Sequence, residues 1–559
     1  MTHPLIDLEI KIQPAFEAVE EIVHLSSKIS KPPNLVPLCA SIPADLLTPS
    51  AAYLKVSTKV KSDYSFLFES ATTSETIGRY SFIGAGPRKV IETGPDHGRE
   101  IDPLPILEEE LSKYRVASIP SLKLPPLNGA IGYVSYDCVR YFEPKTARTD
   151  MKDVLHLPES LFMLYDTIIA FDHFFQIMKV ITYMHLPPSC SSKDELKAAY
   201  DSACDIIQST ISLLRSPDTP LPEQGPITPN QPFTSNIGQE GYENHVKTLK
   251  THINAGDIIQ CVPSQRFARP TSLHPFNIYR TLRTLNPSPY LFYISCKTFY
   301  IIGASPELLI KTDGNVPLPS SDPTNSTSEK PLLRPRIISH PIAGTVARGP
   351  DPITDAKLAA VLLGSLKDRA EHVMLVDLAR NDLNRVCSPL TVSVDRLMHV
   401  ERFSHVQHLV SEVSGVLRPE ASRFDAFRSV FPAGTVSGAP KVRAMELIAN
   451  LEREKRGVYA GAVGYWGIDS VQLLKKSTAI DPIAQGSKDD IEVEEIHASG
   501  PMDTCIALRT MVFKDGVAYL QAGGGIVLDS DPYDEWVETI NKLAANKRCI
   551  DLAEEIFQP

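Results

Sequence analysis

Two stretches decide the reading of this chain: Ala370-Glu371-His372-Val373-Met374-Leu375-Val376-Asp377-Leu378-Ala379-Arg380-Asn381-Asp382, and further on Phe431-Pro432-Ala433-Gly434-Thr435-Val436-Ser437-Gly438-Ala439-Pro440-Lys441. The first falls in a predicted helix over 365–380. The second reads as a strand-to-helix connection running into a predicted helix over 440–452. Its glycines at 434–438, like those at 523–525, expose backbone N–H donors and let a small anion approach closely. Asp368 and Glu371 stand three residues apart, as do Glu535 and Glu538 in a predicted helix over 532–556. That spacing puts both acids of a pair on one helix face. Two such helices facing each other would gather four carboxylates, which repel unless a divalent cation sits among them. Hard oxygen donors of this number suit Mg²⁺. Arg348, Arg380, Lys441 and Arg509 are cations suited to a carboxylate or phosphate.

Each feature alone has an ordinary explanation. An acidic pair at this spacing is usually a solvated helix face, and a Gly-Gly-Gly run is usually a turn. The 431–441 stretch could be a plain helix cap, and a histidine on an apolar run, such as His408, is more often a satisfied core residue. Their joint presence in one order favours a catalytic site.

Outward from these stretches, the chain has 559 residues, with 56 Lys and Arg against 67 Asp and Glu, a formal net charge of −11. The length suggests two large domains or one elaborated pair of sheets. The acidic balance argues against nucleic-acid binding, which needs clustered cations. No apolar run reaches about 18 residues, so no membrane span is expected. The nine cysteines include no CxxC pair, which signals neither a disulfide framework nor a zinc site. The first 21 residues carry five acids and no apolar stretch, so a cytoplasmic location is expected.

Six prolines within 216–232 mark the best linker. The expected organisation is an N-terminal region at 30–190, a helix and Pro-rich linker at 191–235, and a catalytic domain at 236–556. Strands are expected across 53–90, at 129–136, as a pair over 161–185, and at 257–268, 289–295 and 298–311. Further helices are expected at 193–215, 239–255, 354–363 and 422–430. Residues 312–335 and 471–497 read as polar surface inserts.

Residues 370–382 and 431–441, with Gly256-Asp257-Ile258-Ile259-Gln260, His340 to Gly349, His408 to Gly415 and the glycines at 523–525, resemble the chorismate-utilising enzymes over about 236–556. The resemblance implies an α+β fold, with two large, mainly antiparallel sheets packed face to face, flanked by helices, and a site between them. Relatives that add water to the ring carry a lysine where this chain has Gln260, which cannot act as a base. Aminodeoxychorismate synthases carry a nucleophilic lysine where this chain has Ala343. The pattern therefore resembles the component I group of anthranilate synthases. Aminodeoxychorismate synthase component I and a catalytically dead regulatory or scaffold relative stay as the other readings.

The resemblance also implies roles. Mg²⁺ would be held by Glu371 and Glu538, with Asp368 and Glu535 nearby. Asp368 departs from the family's usual glutamate. Glu307 would be the general acid, and His408 would assist in the later proton removal. Thr435 and Lys441 would line the catalytic pocket. Gly344, Thr345, Tyr459, Arg509 and Gly523, Gly524 and Gly525 would bind chorismate. In the first half, Phe66-Leu67-Phe68-Glu69-Ser70, Gly78-Arg79-Tyr80-Ser81-Phe82-Ile83-Gly84 and Asn286-Pro287-Ser288-Pro289-Tyr290-Leu291-Phe292 resemble the elements that line an inhibitory tryptophan site. Glu69, Ser70, Ser81, Pro289, Tyr290 and Leu291 would form it. Leu291 replaces the commoner methionine, a volume-conserving change. Ammonia would come from a separate glutamine amidotransferase subunit.

Overall fold

The structure is a computed structural model that describes residues 10–70, 78–186, 192–318, 332–403, 406–475 and 492–558. Strand Tyr290–Cys296 shows how the fold is written into the sequence. Successive side chains of a strand point to opposite faces. Phe292, Ile294 and Cys296 enter one buried cluster, and Leu291 and Tyr293 enter another. The first cluster lies between two sheets. The second lies on the outer face of the larger sheet.

The larger sheet has fifteen strands and the smaller has ten. In the larger, Tyr290–Cys296 is flanked by Phe299–Ser305 and Tyr64–Glu69. In the smaller, Ala462–Trp466 is flanked by Met502–Ile506 and Ala130–Val134. The described ladders are antiparallel except where the short strand Val116–Ala117 joins the larger sheet. Trp466, fully buried, packs edge-on against Phe162 and Phe427 between the layers. Helices Pro49–Val60, Lys193–Leu214, Pro275–Leu285 and Pro532–Ile556 cover the outer face of the larger sheet. Helices Pro352–Gly364 and Leu366–Asn384 pack on the smaller one. A third cluster, between Gly238–Asn254 and Lys441–Glu452, is built on Tyr242, Val246, Leu249, Ala444 and Leu447. This is the α+β architecture expected from the sequence. No described helix is long and apolar enough to cross a membrane.

Several expectations are corrected. The 53–90 stretch opens in helix Pro49–Val60, capped by Thr48, because a proline at the first turn and a hydroxyl cap outweigh the β-branched content. Residues 161–185 form three strands. Ser160–Leu164 belongs to the smaller sheet, while Thr167–Asp172 and Ile177–His185 pair in the larger. The flanks of both inserts are ordered hairpins: Leu308–Pro317 pairs with Leu333–Ser339, and Ser470–Lys475 with Val493–Ala498. Residues 319–331 and 476–491 lie outside the described residues. The partition into 30–190, 191–235 and 236–556 follows the chain but not the sheets, because each sheet pairs strands from both halves.

Residues 236–556 made alone should therefore not fold. Strand Tyr290–Cys296 would lose its neighbour Tyr64–Glu69, and Ala462–Trp466 would lose Ala130–Val134. Circular dichroism and a cooperative melt check this; a fragment melting like the full chain would refute it.

Candidate active site

A two-residue ladder pairs Gln260–Cys261 with Gly438–Ala439 and draws the segment that carries Gln260 to the 431–441 connection. Buried Arg456 clamps the loops on either side, donating to Val436 O (2.9 Å), to Val262 O (2.7 Å) and to Glu452 (2.6 Å). Beside this ladder, the backbone of Gly524 and Gly525 threads between helices Leu366–Asn384 and Pro532–Ile556. A Cβ at Gly524 would lie 2.8 Å from Glu535 Oε2 and 3.9 Å from Glu538 Oε1. A Cβ at Gly525 would lie 2.3 Å from Gln260 Nε2 and 3.5 Å from Glu371 Oε1. A side chain at either position would displace the tips of Glu535 or Gln260. At Gly344 a Cβ would lie 3.1 Å from Asp368 Oδ1. The acids predicted on two distant helices therefore converge on one strip of backbone.

Their charges are felt. Burial pushes the Glu371 carboxyl up; the Gln260 amide, donating to Oε1 at 3.1 Å, offsets part of this, and the charges of Glu538 and Asp368 add to it. Glu535 is raised in the same way, chiefly by burial and further by Glu538, against a hydrogen bond from Ser530 Oγ at 2.6 Å. Glu535 Oε2 is buried with no partner. Lys542 is the local counter-charge, 2.7 Å from Glu538 Oε1 and donating to Gly523 O at 2.8 Å. No three Asp, Glu, His or Cys side chains among the described residues enclose an ion by themselves. An open set of carboxylate oxygens, one of them orphaned, fits an ion that keeps waters and takes further oxygens from a substrate.

Glu307 lies across the site, buried, with Thr435 Oγ1 donating to its Oε1 at 3.0 Å. Burial pushes its carboxyl up to about 8, against the hydrogen bonds from Thr435 and the Ile342 backbone and the charge of Arg509. Arg509 follows strand Met502–Ile506 with φ +51°. Among the described residues it has no carboxylate within ion-pair distance, so its charge is available to a ligand. Tyr459 is buried beside it, with its phenol pushed up to about 12 by burial. His408 Nδ1 sits 3.1 Å from Gly344 O and 3.0 Å from Thr345 Oγ1, and burial lowers its pKa to about 4. A carbonyl only accepts, so Nδ1 carries the proton and Nε2 is a free base.

Lys441 is not directed as expected. Its ammonium sits 2.6 Å from Asp382 and 3.0 Å from Val430 O, bracing the connection instead of facing a substrate. Ala343, buried on strand Ile342–Ala347, offers no nucleophile. Sequence reasoning missed Lys542, Tyr242 and Arg456. Lys542 stands one turn after Glu538, a spacing that could have revealed it. Tyr242, whose hydroxyl accepts from Gly524 N at 3.0 Å, left no local signal.

A second cleft, of about 430 Å³, opens between the sheets. Glu69, Ser70, Pro289, Tyr290 and Leu291 line it, joined by Lys311, Tyr465 and Asp503. Tyr290 Oη donates to Asp503 Oδ1 at 3.1 Å. Glu69 is ion-paired with Arg283 at 3.0 Å and accepts from the Tyr279 hydroxyl. Ser81 is absent from this lining. Strand alternation sends Tyr80 and Phe82 into the cleft and turns Ser81 to the other face, 2.7 Å from His173 Nε2.

The sequence profile of the family described as chorismate binding enzyme matches residues 63–318, 329–473 and 495–548. The chain belongs to the chorismate binding enzymes. The match starts well upstream of 236, in keeping with the sharing of strands between the two halves. Within this family the chain is 56% identical to anthranilate synthase component 1 of Saccharomyces cerevisiae over 554 residues, 98% of each chain. It is 49% identical to a probable anthranilate synthase component 1 of Schizosaccharomyces pombe, again over 98% of each. The solved anthranilate synthase component I of Streptococcus pneumoniae is 34% identical with a TM-score of 0.63, covering 84% of this chain and 92% of that one.

In this chorismate binding enzyme, burial of the acids, with their mutual repulsion added to it, costs stability. A carboxyl raised in the folded state contributes stability only at low pH, and this is lost as pH rises through its folded pKa. Glu371→Gln should therefore stabilise the chain at neutral pH without divalent ions, by about 1 kcal/mol. A denaturant melt checks this, and equal or lower stability would contradict a cost for the buried, ionised acid.

Proposed function

We propose that the chain is the chorismate-converting subunit of an anthranilate synthase, making anthranilate and pyruvate from chorismate and ammonia. The observation that carries this is Glu307: a buried acid held neutral near pH 7, beside an unpaired arginine and opposite a crowd of carboxylates. Glu371 and Glu538, with Asp368 and Glu535 nearby, would hold Mg²⁺, which when bound supplies the positive charge that fixes and polarises the ring carboxylate. Arg509, Tyr459 and the backbone at Gly523 to Gly525 hold the enolpyruvyl carboxylate, and Gly344 and Thr345 close on the ring. Ammonia forms its bond to C2, the ring double bonds shift, and the C4 hydroxyl leaves as water with the proton of Glu307. The new ammonium group gives up a proton to solvent. His408 Nε2 then takes the C2 proton, the C3–O bond breaks as the ring becomes aromatic, and the enolate released takes a proton from solvent on its methylene carbon and departs as pyruvate. Gln260, spent on Glu371, activates no water, which suits an amine nucleophile. Ala343 disfavours the aminodeoxychorismate reading.

Ammonia is supplied by a separate glutamine amidotransferase subunit. A cytoplasmic setting accords with the eight described cysteines, all free. The cleft at Glu69 and Ser70 takes L-tryptophan as feedback inhibitor, its indole between Pro289, Tyr290 and Leu291.

Incubation with chorismate, Mg²⁺ and ammonium should generate anthranilate fluorescence; an amino group at C4 with pyruvate retained would refute the assignment. With glutamine and the amidotransferase partner as ammonia source, turnover should fall as pH rises through about 8, because Glu307 then loses the proton it must donate. Glu307→Gln should slow turnover by about 10²–10⁴-fold and remove that limb. An unaltered pH profile would exclude Glu307 as the acid. Ser70→Phe should leave turnover intact and blunt inhibition by tryptophan; wild-type enzyme indifferent to tryptophan would rule out the feedback reading.

A further inference from the structure

Glu69 sits on a wall between two clefts. Arg283 reaches it from behind, with Nη2 3.0 Å from Oε1 and Nε 3.1 Å from Oε2. The same arginine lines a groove of about 400 Å³ on the far side, between helices Pro49–Val60 and Pro275–Leu285. Arg280, one turn before Arg283, lines it too, its guanidinium stacked 4.9 Å over the Phe557 ring. The N-terminus of helix Pro49–Val60 opens onto the groove through Thr48, Ser50 and Ala51. Ser50 is 9% exposed, and its buried hydroxyl has no partner. None of the described lining residues is acidic. Two guanidinium groups and the positive end of a twelve-residue helix, with no acid among the described lining residues, give the groove a positive face, the chemistry that holds a phosphate-type oxyanion.

We propose that this groove, formed by Arg280, Arg283 and the first turn of helix Pro49–Val60, is a second ligand site for a compact phosphate-type oxyanion, coupled to the tryptophan cleft through Arg283. The coupling rests on the feedback reading above; the anion site does not. Arg283 is one cation between two anions. An oxyanion in the groove draws the guanidinium off Glu69, and the freed carboxylate then receives the ammonium group of tryptophan. The linkage is reciprocal, so each ligand tightens the other.

The test uses the full-length enzyme and inorganic phosphate, with chloride at matched ionic strength as control. Phosphate should raise the melting temperature of the wild type without tryptophan present, and Arg280→Gln should abolish that rise while leaving basal turnover unchanged. Phosphate should also lower the tryptophan concentration for half-inhibition about fivefold, a modest coupling on the usual scale. No stabilisation by phosphate, or equal stabilisation in Arg280→Gln, overturns the site. Stabilisation that is lost in Arg280→Gln without any change in tryptophan sensitivity overturns the coupling. Binding of phosphate by an enzyme that ignores tryptophan overturns the feedback reading and leaves the anion site standing. Arg283→Gln provides an independent variant: its tryptophan sensitivity should no longer respond to phosphate, and a persisting response removes Arg283 from the link.

Discussion

Negative charge forced together at Gly524 and Gly525 is the constraint around which the rest of the chain is arranged. Glu371, Glu535 and Glu538 come from two helices packed on opposite sides of that backbone strip. Among the described residues nothing neutralises all of them: Lys542 answers Glu538, Gln260 answers Glu371, and one oxygen of Glu535 is left without a partner. A fold that holds such a set in place stores electrostatic work that a cation and an acidic substrate can release together. The sheets, the caps and the buried arginine clamp at Arg456 keep the set from relaxing.

The two clefts share backbone. Strand Met502–Ile506 turns Asp503 and Cys505 into the cleft at Glu69, and Ile506 N donates to Glu307 O at 3.0 Å. Strand Leu308–Pro317 begins immediately after Glu307 and carries Lys311 to the same cleft. Under the proposed feedback, a ligand that shifts the cleft wall acts on the catalytic acid through two strands, with no further element between. A packed interior transmits such a shift because it has few voids in which to absorb it.

Much of the fold was legible. The helices over 365–380, 440–452 and 532–556 and the strands around 129–136 and 289–295 follow from periodicity and from Gly and Pro punctuation, which act within a few residues. Helix Pro49–Val60 was hidden because its sequence is mixed and its buried face exists only against the larger sheet. The three-way split of 161–185 was hidden because a run of apolar residues does not say which of two sheets each strand will join.

For the site, residue chemistry and spacing by themselves determined that Asp368 with Glu371, and Glu535 with Glu538, share helix faces, that the glycines at 523–525 admit close approach, and that Gln260 and Ala343 lack the base and the nucleophile of related reactions. The tertiary structure decided which of these groups meet. It brought the acids to one strip of backbone, buried Glu307 so that it keeps its proton, fixed the His408 tautomer on Gly344 O, and turned Lys441 and Ser81 away from the clefts they were expected to line. Desolvation and long-range contact depend on residues far apart in the chain, and no local pattern encodes them.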